Sequence, residues 1–564
     1  MLALTVAVAA AGCGKVKGDG GSPDAGGECT AATEATACAT HEVCDTSGGP
    51  GVCACAPAYA KNSSGACVFA GAPADPGLAD PGRWLVAGTG PVVDPNAPGN
   101  ADPGEAVFDR PSLCSFATIS QTFTMPPLDR AEPLKLNVTH SASQPPQQFD
   151  LLDTLISIGV GTQWTDLRVQ PSAYRTDSIC LGAAAYGGPI KFQVGMIPSA
   201  GLSCNSPVSS PNANIRIDQL QVVPATLDEC PAPGSVLNGD FEGPAGWTFT
   251  PIIGATGALV AGAGEGGTKG AQLATANKCS QATMTGTASF PTRAMMANPA
   301  IDLFWSAPPG ERIVFQIGGK NIATLTSSGG NAGHSHVCVP AWAVGSVQSV
   351  GVFVQQHSDN ACNTAYAETV NIDNMSIVND AKCTETGDLT DPGFERVSNV
   401  TGPVTGWGET NNYINDTQGL ITTVVNQPAA AHSGTGALRM FWGNQCTTHN
   451  EAGADLTFVV PASDATGGPA VKFFANVAAS NTVTEARLSM LPLPFGLNVF
   501  TVTPRNGAYT AQVMCLPPKL SGRRITLRAG LGSDGGACAT MVSTETALYD
   551  DFVIGTDAAC PAVP

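Results

Sequence analysis

Basic residues are scarce in this chain: 26 Lys and Arg stand against 45 Asp and Glu, a formal net charge of −19. Nucleic-acid binding needs a basic footprint that displaces counterions, and attachment to anionic lipid through side chains needs basic clusters. This composition excludes both. Charge of either sign is sparse at 13%, and aromatics make up only 6%, while 43% of residues are hydrophobic. Sizeable cores can therefore be buried, but aromatic platforms are few. Beyond the start of the chain, no apolar stretch approaches the ~20 residues of a membrane-spanning helix. Patterns of the G-x-S-x-G, H-E-x-x-H and P-loop types are missing, and a glycosidase pair cannot be nominated without a carboxylate separation. The expectation is a protein without catalysis and without an organic cofactor.

Cysteine, glycine and proline are abundant, at 19, 65 and 43 of 564 residues. Short apolar runs punctuated by Gly, Pro, Asn and Thr point to an all-β protein, and the length calls for several domains. The cysteines fall into three groups. Cys13 stands alone after an apolar run. Cys29, Cys38, Cys44, Cys53, Cys55 and Cys67 crowd a module too small for a self-sufficient core, which disulfides must staple. The remaining twelve form quartets: Cys114, Cys180, Cys204, Cys230; Cys279, Cys338, Cys362, Cys383; and Cys446, Cys515, Cys538, Cys560. Spacings of 66, 24 and 26, then 59, 24 and 21, then 69, 23 and 22 mark an internal repeat. Four cysteines allow three pairings in each repeat, and spacing does not choose among them. Zinc is the alternative, but no C-x2-C knuckle occurs within the quartets.

The quartets travel with other features. Each repeat opens on a turn-like pentapeptide: Asp80-Pro-Gly-Arg-Trp84, Asn238-Gly-Asp-Phe-Glu242 and Asp391-Pro-Gly-Phe-Glu395. About ten residues after its second cysteine, each carries a strand of period-two alternation. Ile190, Phe192, Val194 and Met196 share one face; Val350, Val352 and Val354, then Ile525, Leu527 and Ala529, repeat the pattern. Each closes on an aspartate-bearing strand (IRIDQLQVV, VNIDNMSIV, ALYDDFVIG) that aligns Asp218, Asp373 and Asp550. The organisation read from these marks is 1–13 signal peptide, 14–28 flexible tether, 29–67 disulfide-rich module, 68–77 linker, and repeats at 78–230, 231–383 and 384–564. Each repeat is long enough for one antiparallel β-sandwich.

Three resemblances sharpen this reading. The start, MLALTVAVAAAGCGK, is similar to a bacterial lipobox, which implies lipidation of Cys13, export, and a surface or outer-membrane location with membrane contact only through the anchor. An ordinary signal peptide with a secreted product is the alternative, and either compartment permits disulfides. The six-cysteine module resembles the EGF-like domain, which implies the pairs Cys29 with Cys44, Cys38 with Cys53 and Cys55 with Cys67. The family's turn glycine is Ala58 here, and without an aromatic before Cys53 no calcium is expected in this module.

The NGDFE and DPGFE turns with their following tryptophans, and the closing IDN and YDD strands, resemble carbohydrate-binding modules of the family 4/9/22 type. That resemblance implies three galactose-binding-like jelly rolls and glycan or protein partners. It also implies a structural calcium held between first and last strands by Glu242 with Asp373, and by Glu395 with Asp550 or Asp551. Carboxylates suit that hard cation. The first repeat departs, because Arg83 and Trp84 stand where the Phe-Glu pair belongs. Trp84, Trp247 and Trp407 read as core. Trp305 and Trp442 either line a concave ligand face or pack inside. His334 and His336, in the run GGNAGHSHVC, read as part of a solvated Gly-rich loop, although two imidazoles on one strand face would suit a metal.

Overall fold

The computed structural model describes residues 29–562 with interruptions, the longest at 110–116, 143–154, 197–213, 355–361, 410–419, 444–450, 492–498 and 534–543. Cys13 therefore lies outside the described residues, as do Cys114, Cys204, Cys446 and Cys538. The chain divides into two compact units, Met1–Val68 and Phe69–Pro564.

In the first unit, a single helical turn (Glu34–Ala37) precedes the hairpin of Glu42–Asp45 with Val52–Cys55. Disulfides join Cys29 to Cys44, Cys38 to Cys53 and Cys55 to Cys67. Few apolar side chains are available to bury, so the bridges supply the constraint that a larger core would otherwise give. Tyr59 is buried beneath the stacked His41 ring, centroids 4.4 Å apart.

The second unit holds three antiparallel two-sheet sandwiches of one topology. In the second sandwich, one sheet runs Ser235–Val236, Gln281–Ser289, Val347–Val354, Arg312–Ile317, Lys320–Thr326. Facing it are Thr256–Ala261, Lys269–Ala274, Thr369–Asn379, Pro299–Ser306 and Gly333–Cys338. The first and third repeat this order. The alternating strand (Gly188–Met196, Val347–Val354, Arg524–Ser533) is central in one sheet, and the closing strand (Asn214–Pro224, Thr369–Asn379, Thr544–Asp557) is central in the other. Central strands bury one face fully, and Phe192, Val194, Val350, Val352 and Leu527 are all at 0% exposure. Each sandwich encloses its own core.

The second and fourth cysteines of every quartet are bridged: Cys180–Cys230, Cys338–Cys383 and Cys515–Cys560. Each fastens the end of an edge strand to the segment after the closing strand. Cys279–Cys362 joins first to third in the second repeat.

The opening turn of the first repeat sits earlier than its sequence suggests. The Phe552 amide donates to Pro392 O at 3.1 Å and the Met375 amide to Gly239 O at 2.8 Å, tying each closing strand to its opening turn. In the first sandwich the same bond runs from Leu220 to Pro76, at 2.8 Å. Leu78 (φ 56°) is fully buried like Phe241 and Phe394, each also at φ 56°. The equivalent turn is thus Asp75-Pro-Gly-Leu-Ala79, and Asp80–Trp84 follows it. Asp-Pro-Gly occurs twice in succession, and only the copy followed by an apolar residue can seat a side chain in the core. Residues 75–77 belong to the sandwich rather than to a linker.

Candidate functional site

The closing aspartates occupy one structural position. In every sandwich the closing strand slips register beside its aspartate, between Ile217 and Gln219, opposite Asp302/Phe304, and opposite Lys472/Phe474. In the second and third sandwiches the next residue is left-handed, Asn374 at φ 47° and Asp551 at φ 50°. Asn and Asp tolerate that region best among non-glycine residues. This accounts for the Asp-Asn and Asp-Asp pairs of the closing motif: a β-bulge re-aims the aspartate toward the opening turn.

In the second sandwich, Asp373 is 1% exposed. Its Oδ2 accepts from Glu265 N and Thr268 Oγ1, both at 2.8 Å, while the buried Oδ1 has no hydrogen-bond partner. Glu242 accepts from Lys269 N at 2.9 Å at the same end of the module. A Cβ on Gly264 would stand 2.4 Å from Asp373 Oδ2, so the close approach of this Gly-rich loop demands glycine.

In the third sandwich, Asp550 accepts from the amides of His432 (2.7 Å), Ser433 (3.2 Å) and Asp551 (2.7 Å). Asp551 binds His432 Nδ1 and Ser433 Oγ, each at 2.7 Å. Glu395 accepts from Thr435 N, Thr435 Oγ1 and Gly436 N. Burial pushes Asp550 up to about 6, with the Asp551 charge adding to it; burial does the same to Asp391, helped by the charges of Glu395 and Asp550. Negative charge is concentrated here beyond what neighbouring donors neutralise.

Both cradles fit a hard cation, one through an orphaned buried carboxylate oxygen and the other through crowded carboxylates. Glu242 and Asp373, and Glu395 with Asp550 and Asp551, would hold it. When bound it would supply positive charge that locks the opening turn, the Gly-rich loop and the bulge together. The first sandwich lacks the set: Ala79 stands at the glutamate position, and Asp218 accepts instead from Asn100 N at 2.8 Å.

Trp305 does not face a ligand cleft. It is 7% exposed, packs in the second core and donates from Nε1 to Ser335 Oγ at 2.9 Å. The period-two alternation of Pro299–Ser306 turns it inward and its neighbour Phe304 outward. Trp442 lies on the strand Gly436–Gly443, with its side chain outside the described residues. Trp84 and Trp407 are buried, and Trp247 is half-buried against Phe241, centroids 4.8 Å apart.

Solved carbohydrate-binding modules are similar to parts of this chain. A family 61 module in complex with β-1,4-galactotriose is 16% identical over 30% of this chain and 97% of its own, at a TM-score of 0.19. The tandem family 22 modules of Xyn10C from Paenibacillus barcinonensis are 14% identical over 57% of this chain and 98% of theirs, at 0.20. The family 11 module of Lic26A-Cel5E from Clostridium thermocellum is 11% identical over 26% and 96%, at 0.19. No family model matches the chain, and no curated protein does.

Two aromatic pairs beside the cradles were not legible in the sequence. Phe304 pairs across the sheet with Asp373, and His334 meets its ring edge-on at 5.6 Å. Phe474 pairs with Asp550, and His432 stacks on it at 3.4 Å. In these two sandwiches a phenylalanine stands opposite the bulge, a signal visible only once the register is known. His334 and His336 lie on the strand Gly333–Cys338 rather than in a loop. Pairing with Pro299–Ser306 satisfies a backbone that its preceding glycines made look irregular.

Proposed function

We propose that this is an exported, non-catalytic surface protein, anchored by a lipid on Cys13, that binds glycan through its repeated sandwiches. Its six-cysteine unit serves as an EGF-like spacer. The observation that carries this reading is the recurrence of an outward phenylalanine opposite the cradle aspartate, Phe304 meeting His334 of the edge strand and Phe474 meeting His432 of the loop before Gly436–Gly443. An aromatic face beside polar groups suits a pyranose ring. Two weak copies on one chain gain by avidity on a polymeric ligand. A glycan array probed with the full chain, with and without calcium, tests it. Binding should fall in Phe304→Ala/Phe474→Ala; no binding to any glycan under either condition overturns it.

A structural spacer is the second reading, favoured by how firmly the sandwiches are joined. The buried Gln163 accepts from Gly182 N at 2.8 Å within the first sandwich and donates to Val347 O of the second at 3.4 Å. Ala184 N donates to Gly345 O at 2.8 Å, and the Arg524 guanidinium of the third sandwich lies 4.8 Å from the Trp342 ring centroid. Such contacts tie neighbouring sandwiches together, which a spacer requires and a glycan binder does not.

A further inference from the structure

The strand Gly333–Cys338 runs along the edge of the second sandwich, with His336 opposite Asp302 and His334 opposite Phe304. Alternation puts both imidazoles on the outer face, 42% and 44% exposed, on either side of the Asp302 carboxylate. His334 Nδ1 lies 3.0 Å and 3.1 Å from its two oxygens, and His336 Nε2 lies 3.5 Å from Oδ1. The remaining ring nitrogens each meet a second carboxylate: His334 Nε2 is 3.3 Å from Glu265 Oε1, and His336 Nδ1 is 2.7 Å from Asp380 Oδ2. These outer carboxylates are themselves held, Glu265 by Asn374 Nδ2 at 2.6 Å and Asp380 by Lys382 N at 2.9 Å.

We propose that His334, His336 and Asp302 bind a divalent transition ion of the zinc and copper class. Two imidazole nitrogens and one carboxylate oxygen suit a borderline ion and disfavour calcium or magnesium, which take oxygen ligands. Each imidazole turns one nitrogen to the shared point at Asp302 and the other to an outer carboxylate. That is the arrangement that fixes ring orientation and raises the basicity of metal-bound histidine. Three carboxylates surround the two imidazoles, and Lys382 and Arg396 offset the outermost, Asp380. His334, His336 and Asp302 do not bring their ligand atoms within 4.8 Å of one another. Among the described residues, the trio whose ligand atoms all lie within 4.8 Å of one another is Cys29, Cys38 and Cys53, already committed to disulfides. Capture of the ion therefore draws the two exposed imidazoles inward by side-chain rotation, which their position on the surface allows.

The test is equilibrium dialysis of the untagged full chain, stripped with chelator, against zinc and against copper in excess calcium. One equivalent of zinc or copper should bind, insensitive to calcium. His334→Ala/His336→Ala should abolish it and Asp380→Asn should weaken it about 10–100-fold. Should the double variant melt early, the single change His336→Gln at an exposed position should still lower affinity at least about tenfold. Absence of a bound equivalent in the native chain, or equal binding by native chain and histidine variants of native fold, overturns the proposal.

Discussion

The Leu220 amide donates to the Pro76 carbonyl at 2.8 Å, tying the closing strand of the first sandwich to a turn five residues ahead of the Asp80 pentapeptide. The bond fixes the true start of the repeat, because it is the counterpart of Met375 to Gly239 and Phe552 to Pro392. It also puts Leu78, rather than Arg83, in the core. Leu78→Ala should therefore cost about 2–5 kcal/mol. Arg83→Ala, which removes only an exposed ion pair to Asp80, should be nearly neutral. Denaturant unfolding of the two variants checks the assignment.

Two cradles per chain should take calcium, and the first sandwich should take none. Calorimetric titration should find about two equivalents, falling to one in Asp373→Ala. Calcium at one hundred times its dissociation constant should add about 2.7 kcal/mol to the stability of each loaded module. Titration giving the same stoichiometry for Asp373→Ala as for the native chain would sink this assignment.

The third sandwich should lose stability as pH rises from about 4 to about 6 in metal-free buffer. Asp391 and Asp550 are both pushed up to about 6, chiefly by burial. Between the unfolded value and that pH, the folded state binds more protons than the unfolded state. Stability is thus fully present below the unfolded carboxylate range and is lost as pH rises through the folded value. Calcium, which compensates the ionised pair, should flatten the dependence. Thermal melts from pH 4 to 7, with and without calcium, read both effects.

Trp305→Ala should destabilise the second sandwich by about 3–5 kcal/mol, as a buried tryptophan does, and Trp305→Phe should leave any glycan binding intact. Trp407→Ala should cost a similar amount in the third sandwich, where the indole packs against Phe394 and Phe552 at 4.9 Å and 4.8 Å. Melting temperatures together with glycan pull-downs separate packing from recognition.

Cys515→Ser/Cys560→Ser opens a loop with a sequence separation of 45. The chain-entropy model puts its stabilisation at about 4 kcal/mol. Guanidinium unfolding of the variant should show the loss in the third sandwich while the transitions of the other two hold.

The triplication was legible because cysteine spacing survives where other residues drift, and the sheet centres were legible because alternation is a local property. Phe192, Val350 and Leu527 fell inside as their period required. Trp305 kept both of its readings open, since a composition poor in aromatics says nothing of which face of Pro299–Ser306 the core occupies. The first opening turn was misplaced because two Asp-Pro-Gly copies look alike until one is seen to bury Leu78. The histidine strand looked like a loop because its glycines precede a ladder whose partner lies some thirty residues away.

By itself the sequence determined an all-β chain with one small stapled unit and a sandwich made three times. Cysteine count, period-two patterning and repeat length are written along the chain and need no folding to be read. Tertiary structure alone decided which cysteines of the quartets meet, which Asp-Pro-Gly opens the first sandwich, and what surrounds each closing aspartate. The last two relations join residues over a hundred positions apart, as between Asp373 and Glu265 or Asp550 and His432. Only sheet register and the bulge beside each aspartate bring them within hydrogen-bonding distance.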